Sequence, residues 1–226
     1  MPTKTHTESE IFQIYNDFHF VCDTGRFKKL FARLELYRLT KDIPGVIIDA
    51  GVYKGVSTIQ FAHMVATYEP NSKKKVIGFD TFEGFFPRQR PDESEMADFH
   101  MTTYDPNAYL SLCSTIERLG LEDRIEVIKG DIVETLPSYF SSRPGARVSM
   151  LHCDLDVFEP TLETLKSVWP RLVPGGIAIF DEYAVDEWGE SDAVDEFFQS
   201  QNIEIQLQAS AFSRTPTAYC IKSRFS

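Results

Sequence analysis

The sequence predicts an α/β fold with a doubly wound, mostly parallel sheet. Short β-branched runs alternate with amphipathic segments about five times after residue 45, and parallel strands need such helical crossovers. The last two predicted strands are separated only by a turn, which indicates an antiparallel hairpin at one edge. An acidic residue ends or follows each of five predicted strands, where ligands bind in sheets of this class.

The first 44 residues form a separate helical segment in front of the sheet domain, which we place at 45–226. Apolar residues recur at helical spacing and predict a helix over 8–40, which ends before Pro44 and Gly45. The residues that form this apolar face are Phe27, Leu30, Phe31, Leu34 and Tyr37.

The sheet domain follows in order. Strands are predicted at 46–49, 76–80, 124–131, 147–154, 176–181, 203–208 and 217–223, where β-branched and other apolar residues form short runs. Helices are predicted at 55–68, 106–120, 132–140, 160–172 and 191–201, the last opened by Ser191 as an N-cap.

One long connection, 81–104, interrupts this alternation. Loops of this length in a compact domain often act as lids, and its aromatic and arginine content suggests closure over an acceptor. Its aromatic, proline and arginine residues include Phe85, Phe86, Pro87, Arg88, Arg90, Phe99 and Tyr104.

The composition excludes several classes of protein. With 42% hydrophobic and 25% charged residues among 226, the chain is typical of a globular protein. A net charge of −11 disfavours nucleic acid and anionic membrane partners. No apolar run approaches the roughly 20 residues of a membrane span, and residues 1–10 lack a signal sequence. With four widely spaced cysteines, we expect a cytoplasmic protein with free thiols, which could be a homo-oligomer.

The first predicted strand runs into D-A-G-V-Y-K-G, residues 49–55. This turn lacks the G-x-G-x-x-G of dinucleotide folds and the P-loop pattern. Gly51 and Gly55 either let a ligand approach the backbone or only make a tight turn. Asp80 ends the next strand, where a carboxylate can accept hydrogen bonds from a ribose diol, and Asp131 follows the third, where an adenine amino group would need an acceptor.

A second group of acids follows two strands that we expect to be neighbours. Asp154 and Asp156 form a D-x-D motif, and Asp181 and Glu182 follow the next strand. Carboxylates so close repel one another unless a cation lies among them, and oxygen ligands favour Mg²⁺ over zinc. Alternatively, Asp154 or Asp156 caps the following helix, or the motif is that of a metal-dependent glycosyltransferase, which leaves Asp80 unexplained. His152 and His100 are more typical of structural histidines.

The stretches VIIDAGVYKGVST and VIGFDTFEGF, together with the D-x-D segment, resemble class I S-adenosylmethionine-dependent methyltransferases. Within that class, residues 45–200 are similar to the macrocin O-methyltransferase family, which includes novobiocin-type enzymes. The resemblance implies a Rossmann-like fold and three groups of cofactor contacts. They are Asp49, Ala50, Gly51 and Ser57 at the methionine part, Asp80 and Thr81 at the ribose, and Asp131 and Ile132 at the adenine. Family members usually have Glu at the position of Asp49.

The same resemblance implies a magnesium site formed by Asp154, Asp181 and Glu182, with Asp156 as the general base. His152 is the next candidate for the base. The implied activity is Mg²⁺-dependent methylation of a small-molecule hydroxyl, on a sugar of a glycoside, on a nucleotide-linked sugar, or on a phenol. A non-catalytic cofactor-binding partner subunit is the alternative.

Overall fold

The computed structural model describes residues 6–85, 88, 90–210 and 214–223, apart from the side chains at 96, 99 and 100. Within these ranges the chain forms one seven-stranded sheet, with the strand order β3 (Ile125–Lys129), β2 (Val76–Asp80), β1 (Val46–Ala50), β4 (Val148–Cys153), β5 (Leu172–Phe180), β7 (Ala218–Ile221) and β6 (Gln208–Ala209). The first five strands are parallel, and β7 is antiparallel to both β5 and β6. This arrangement confirms the predicted fold class.

The element bounds agree with the sequence in most places. The strands are β1 Val46–Ala50, β2 Val76–Asp80, β3 Ile125–Lys129, β4 Val148–Cys153, β5 Leu172–Phe180, β6 Gln208–Ala209 and β7 Ala218–Ile221. The helices are α1 Glu8–Val21, α2 Thr24–Thr40, α3 Val56–Tyr68, α4 Ser94–Met101, α5 Ala108–Leu119, α6 Ile132–Ser142, α7 Phe158–Val168 and α8 Glu190–Ser200.

Alternation along the strands decides which side chains share a face of the sheet. Ile47 and Met150 pack with α2 and α3, whereas Ile48 and Leu151 pack with the helices of the other face. Asp49 and His152 follow two residues later on β1 and β4 and are paired in the parallel register. Their side chains therefore point towards α2 and α3.

The N-terminal segment is helical, as predicted, but the stretch 8–40 consists of two helices. Helix α1 ends before Asp23. The carboxylate of Asp23 accepts a hydrogen bond from the Arg26 backbone N–H at 3.1 Å and caps α2. The predicted apolar face is only partly buried, since Tyr37 is inaccessible while Phe31 is 50% exposed.

Three other predictions differ from the structure. The stretch 81–104 is not an irregular loop, because it contains a 3₁₀ turn, Pro91–Glu93, and helix α4. Residues 203–207 are not a strand. Ser191 does not cap α8, which begins after Gly189; its hydroxyl instead accepts a hydrogen bond from the Ala184 N–H at 2.7 Å. Phe86 and Pro87 lie outside the described residues.

Helix length and polarity bear on the membrane prediction. None of the helices in the described ranges is long and apolar enough to cross a bilayer.

Candidate active site

The turn between β1 and α3 lies against the D-x-D loop. Gly51 has φ +93°, and a Cβ there would lie 1.8 Å from the Asp154 carbonyl oxygen, so only glycine fits. Asp80 links this turn to the end of β2, because its carboxylate accepts the Tyr53 N–H of the turn at 2.7 Å and the Phe82 N–H after β2 at 2.6 Å. The turn, β2 and the D-x-D loop therefore form one connected structure.

A cavity of about 960 Å³ opens at the carboxyl ends of these strands. Its volume is in the range of small-molecule sites. The predicted site residues that line it are Gly51, Asp80, Thr81, Asp131, Ile132, Asp154, Asp156 and Glu182. Five others, namely Asp49, Ala50, Ser57, His152 and Asp181, are buried and do not line it.

Asp49 contacts three protein side chains through its carboxylate. Its carboxylate accepts hydrogen bonds from Ser57 Oγ at 2.9 Å and Thr58 Oγ1 at 2.5 Å, and lies 2.7 Å from His152 Nδ1. The implied contact of the Asp49 and Ser57 side chains with a methionine moiety is not supported by this placement. Gly51 is the part of the turn that reaches the cavity.

His152 lies between two carboxylates. Its Nε2 is 3.5 Å from Asp181 Oδ1, which is too long for a strong hydrogen bond, so the attraction is mainly electrostatic. Burial lowers the pKa of His152, but Asp181 and Asp49 raise it by more, and the net shift is upward. An imidazole buried between two carboxylates is better suited to holding them in place than to acting as a base on a ligand.

Two basic residues of α2 reach the same carboxylates. Lys29 Nζ lies 2.7 Å from Asp181 Oδ2 and 3.9 Å from Asp154 Oδ2, and Arg33 lies 3.7 Å from Asp154. Burial lowers the pKa of Lys29, but Asp154 and Asp181 raise it by more. We predicted a metal from the repulsion among the acids, and that reasoning was incomplete because the protein itself supplies positive charge.

The carboxylates nevertheless differ in their proton affinity. Burial and the neighbouring Asp181 raise the pKa of Asp154 to about 6. Burial, Asp181 and Asp154 raise the pKa of Glu182 to about 7. Burial alone would raise the pKa of Asp181, but His152 and Lys29 reverse this and lower it. Burial, followed by Asp154 and Glu182, raises the pKa of Asp156.

These residues also suit a divalent cation. One ligand atom each of His152, Asp154 and Asp181 lies within 4.8 Å of the others, whereas Glu182 is outside this group. Two buried side-chain atoms of these residues, His152 Nε2 and Asp181 Oδ1, have no hydrogen-bond partner in the part of the chain described. A cation would satisfy the carboxylate oxygen, so the donor set fits the implied group.

Asp156 reaches the cavity for a different reason than we expected. We placed Asp154 and Asp156 on the same face of one strand, but β4 ends at Cys153. Asp156 instead lies in the loop after the strand, with a left-handed φ of +64°, and both Asp154 and Asp156 line the cavity.

The stretch 81–104 contacts both ends of the site. Arg88 lies 2.7 Å from Asp131 and 2.8 Å from Glu159, so the stretch also covers the side assigned to the adenine. Glu93 is buried, and its carboxylate accepts the Phe158 N–H at the start of α7 at 2.8 Å. The prediction that the stretch 81–104 closes only over the acceptor is therefore too narrow.

Sequence reasoning missed four residues that shape the site: Lys29, Arg33, Glu93 and Glu190. The spacing of Lys29 and Arg33 places both on one face of α2, which was a usable signal. Buried Glu190 accepts the Glu182 N–H at 2.9 Å, and no sequence pattern marks it or Glu93.

Comparison with known proteins identifies related sequences and a related fold. The sequence profile of the macrocin O-methyltransferase family (TylF) matches residues 22–212. The 8-demethyl-8-(2,3-dimethoxy-alpha-L-rhamnosyl)-tetracenomycin-C 4'-O-methyltransferase of Streptomyces olivaceus is 32% identical over 154 residues, 66% of this chain and 56% of that protein. Mycinamicin III 3''-O-methyltransferase of Micromonospora griseorubida is 27% identical, over 75% of this chain and 66% of that protein. The chain thus spans 56% of the length of the first relative and 66% of the length of the second.

A solved structure matches over almost the whole chain. The apo structure of CalS11, a TDP-rhamnose 3'-O-methyltransferase of calicheamicin biosynthesis, has a TM-score of 0.68 and 26% identity. The match covers 96% of this chain and 88% of that one.

Proposed function

Because the chain belongs to the macrocin O-methyltransferase family, we propose that it transfers a methyl group from S-adenosylmethionine to a sugar hydroxyl. The observation that carries this proposal is that one cavity contains both the strand-end acids Asp80 and Asp131 and the pair Asp154 and Asp156. The rhamnosyl and TDP-rhamnose acceptors named for the relatives favour a sugar over a phenol.

The cofactor would lie along the β1, β2 and β3 ends of the cavity. Gly51 lets it approach the backbone, and Asp80 has lone pairs left for a ribose diol beside the two N–H groups it already accepts. The Thr81 hydroxyl donates to the Gly84 carbonyl at 2.8 Å and so shapes the loop beside Asp80. Asp131 and Ile132 would flank the adenine, and the bound cofactor supplies the methyl group.

Asp156 would act as the general base. It lines the cavity, and burial beside Asp154 and Glu182 raises its pKa, which makes the ionised carboxylate a stronger proton acceptor. It would take the proton of the acceptor hydroxyl as that oxygen accepts the methyl group, with S-adenosylhomocysteine as the other product. His152, buried behind Asp181, is not placed for this step.

Asp154 and Asp181, with Glu182 beside them, would hold Mg²⁺. A bound divalent cation lowers the pKa of a hydroxyl and orients it. The D-x-D glycosyltransferase alternative has no support in the comparisons reported above. The intact set of Asp154, Asp156, Asp181 and Glu182 argues against a non-catalytic partner subunit.

Calorimetric titration with S-adenosylhomocysteine tests the cofactor assignment. Asp80→Asn should weaken binding by about 1.5–3 kcal/mol, the scale of hydrogen bonds to a charged group. Asp42→Asn is the matched control, because Asp42 is 81% exposed and does not line the cavity. Unchanged affinity in Asp80→Asn would remove Asp80 from the cofactor site.

A further inference from the structure

Lys29 lies between the cavity and the carboxylate that the proposed metal site needs. Its side chain lines the cavity and is 26% exposed, whereas Asp181 is fully buried and does not line it. The ammonium contacts Asp181 Oδ2 at 2.7 Å. A cation that enters from the cavity therefore meets Lys29 before it meets Asp181.

We propose that Lys29 and a divalent cation are alternative partners of Asp181, so that a cation binds only when the ammonium leaves. The inference rests on the proposed metal site. It assigns a role to the N-terminal segment, since Lys29 belongs to α2 and not to the sheet domain.

Simultaneous occupancy is unfavourable for electrostatic reasons. Asp181 already has a positively charged partner, because the Lys29 ammonium lies 2.7 Å from its Oδ2. A divalent cation bound to either oxygen of Asp181, including the unpartnered Oδ1, would lie a few ångströms from the ammonium on Oδ2, and like charges that close repel strongly in a partly buried site.

The structure also shows which contact has to break. Lys29 and Arg33 lie 3.9 and 3.7 Å from Asp154, beyond hydrogen-bond distance, so only the Lys29–Asp181 contact is tight. The Lys29 side chain has a flexible four-carbon stem and is partly exposed, so it can swing into the cavity. Arg33 is nearly buried, with a side chain 6% exposed, and donates to Gln60 at 3.2 Å, so it stays in place.

Mn²⁺ titration of the full chain, followed by electron paramagnetic resonance, tests the exchange. Lys29→Met removes the competing charge and should bind Mn²⁺ at least about tenfold more tightly than the wild type. Lys28→Met is the matched control: it removes the same charge from the adjacent residue, which also lines the cavity and, within the described ranges, forms no ion pair. Its Mn²⁺ affinity should stay close to that of the wild type.

A measurement on the unmodified chain covers the case in which Lys29→Met does not fold. Limited acetylation with acetic anhydride, read by mass spectrometry, should label Lys29 faster once Mn²⁺ is bound, while Lys28 labelling stays constant. Slower or unchanged Lys29 labelling at saturating Mn²⁺ would overturn the exchange.

The outcomes separate this inference from the proposed function. Equal or weaker Mn²⁺ binding by Lys29→Met overturns the exchange and leaves the metal site intact. Absence of Mn²⁺ binding in every variant overturns both the exchange and the metal site, while S-adenosylhomocysteine titration still reports independently on the cofactor site.

Discussion

Gly51→Ala should be among the most damaging single substitutions in the site. At φ +93° an alanine costs about 1–2 kcal/mol through backbone strain. Its Cβ would also lie 1.8 Å from the Asp154 carbonyl oxygen, so the turn and the D-x-D loop must separate by more than an ångström. Such overpacking costs about 1–3 kcal/mol. The hydrogen bond that the Asp154 N–H donates to the Ala50 carbonyl, at 2.8 Å, would be strained as well. We expect a total loss of about 2–5 kcal/mol in the free energy of unfolding.

Gly120→Ala isolates the backbone part of this effect. Gly120 has φ +65°, and a Cβ there would meet no atom within 4 Å. Urea denaturation should therefore show about 1–2 kcal/mol for Gly120→Ala and a clearly larger loss for Gly51→Ala. Gly51→Ala should also lose S-adenosylhomocysteine binding under conditions in which it is folded, whereas Gly120→Ala should keep it. Equal losses of stability in the two variants would refute the contact between the turn and the D-x-D loop.

The remaining predictions concern the carboxylates. Asp156→Asn should lower kcat by about 10²–10⁴ with little change in S-adenosylhomocysteine affinity, and unchanged turnover would exclude it as the base. The pKa of Glu182 in the folded state is raised from 4.5 to about 7, so the native state binds a proton on Glu182 more tightly than the unfolded state does. The stability that this protonation contributes is therefore lost as the pH rises from about 4.5 to 7. In EDTA, the Tm of Glu182→Gln should therefore fall less between pH 4.5 and 7 than the Tm of the wild type, by the equivalent of about 1–2 kcal/mol after allowance for solvent screening. The same dependence of Tm on pH in both proteins would contradict the raised pKa of Glu182. Glu93→Ala leaves the Phe158 N–H at the start of α7 without its acceptor and should cost about 1–3 kcal/mol in urea denaturation, and a loss below 0.5 kcal/mol would contradict the capping role.

The sheet and its strand-end acids could be predicted because their signals are local. Apolar runs of five or six residues and the glycines at 51 and 55 identify β1, β4 and the turn without any tertiary information. The neighbouring positions of Asp154 and Asp181 then follow from the general rule for parallel sheets.

The partners of these acids could not be predicted in the same way. Lys29 meets Asp181 across 152 residues, and Glu93 meets Phe158 across 65, so nothing in the adjacent sequence indicates either contact. The position of Asp49 at a strand end suggested that it contacts a ligand. Its side chain instead lies on the side of the sheet covered by α3, where its partners are Thr58 and His152. Alternation along β1, combined with the side on which α3 packs, decides this outcome.

Methyl transfer itself tests the central claim most directly. The full chain should be incubated with trideuteriomethyl S-adenosylmethionine, Mg²⁺ and three acceptor classes, namely nucleotide-linked sugars, sugar glycosides and phenols, and the products read by mass spectrometry. We predict a product in which one sugar hydroxyl carries the labelled methyl group, formed by the wild type and strongly reduced by Asp156→Asn. Labelled phenol with unlabelled sugars would contradict the acceptor assignment. Failure to label any acceptor by a chain that binds S-adenosylhomocysteine would contradict the proposed activity.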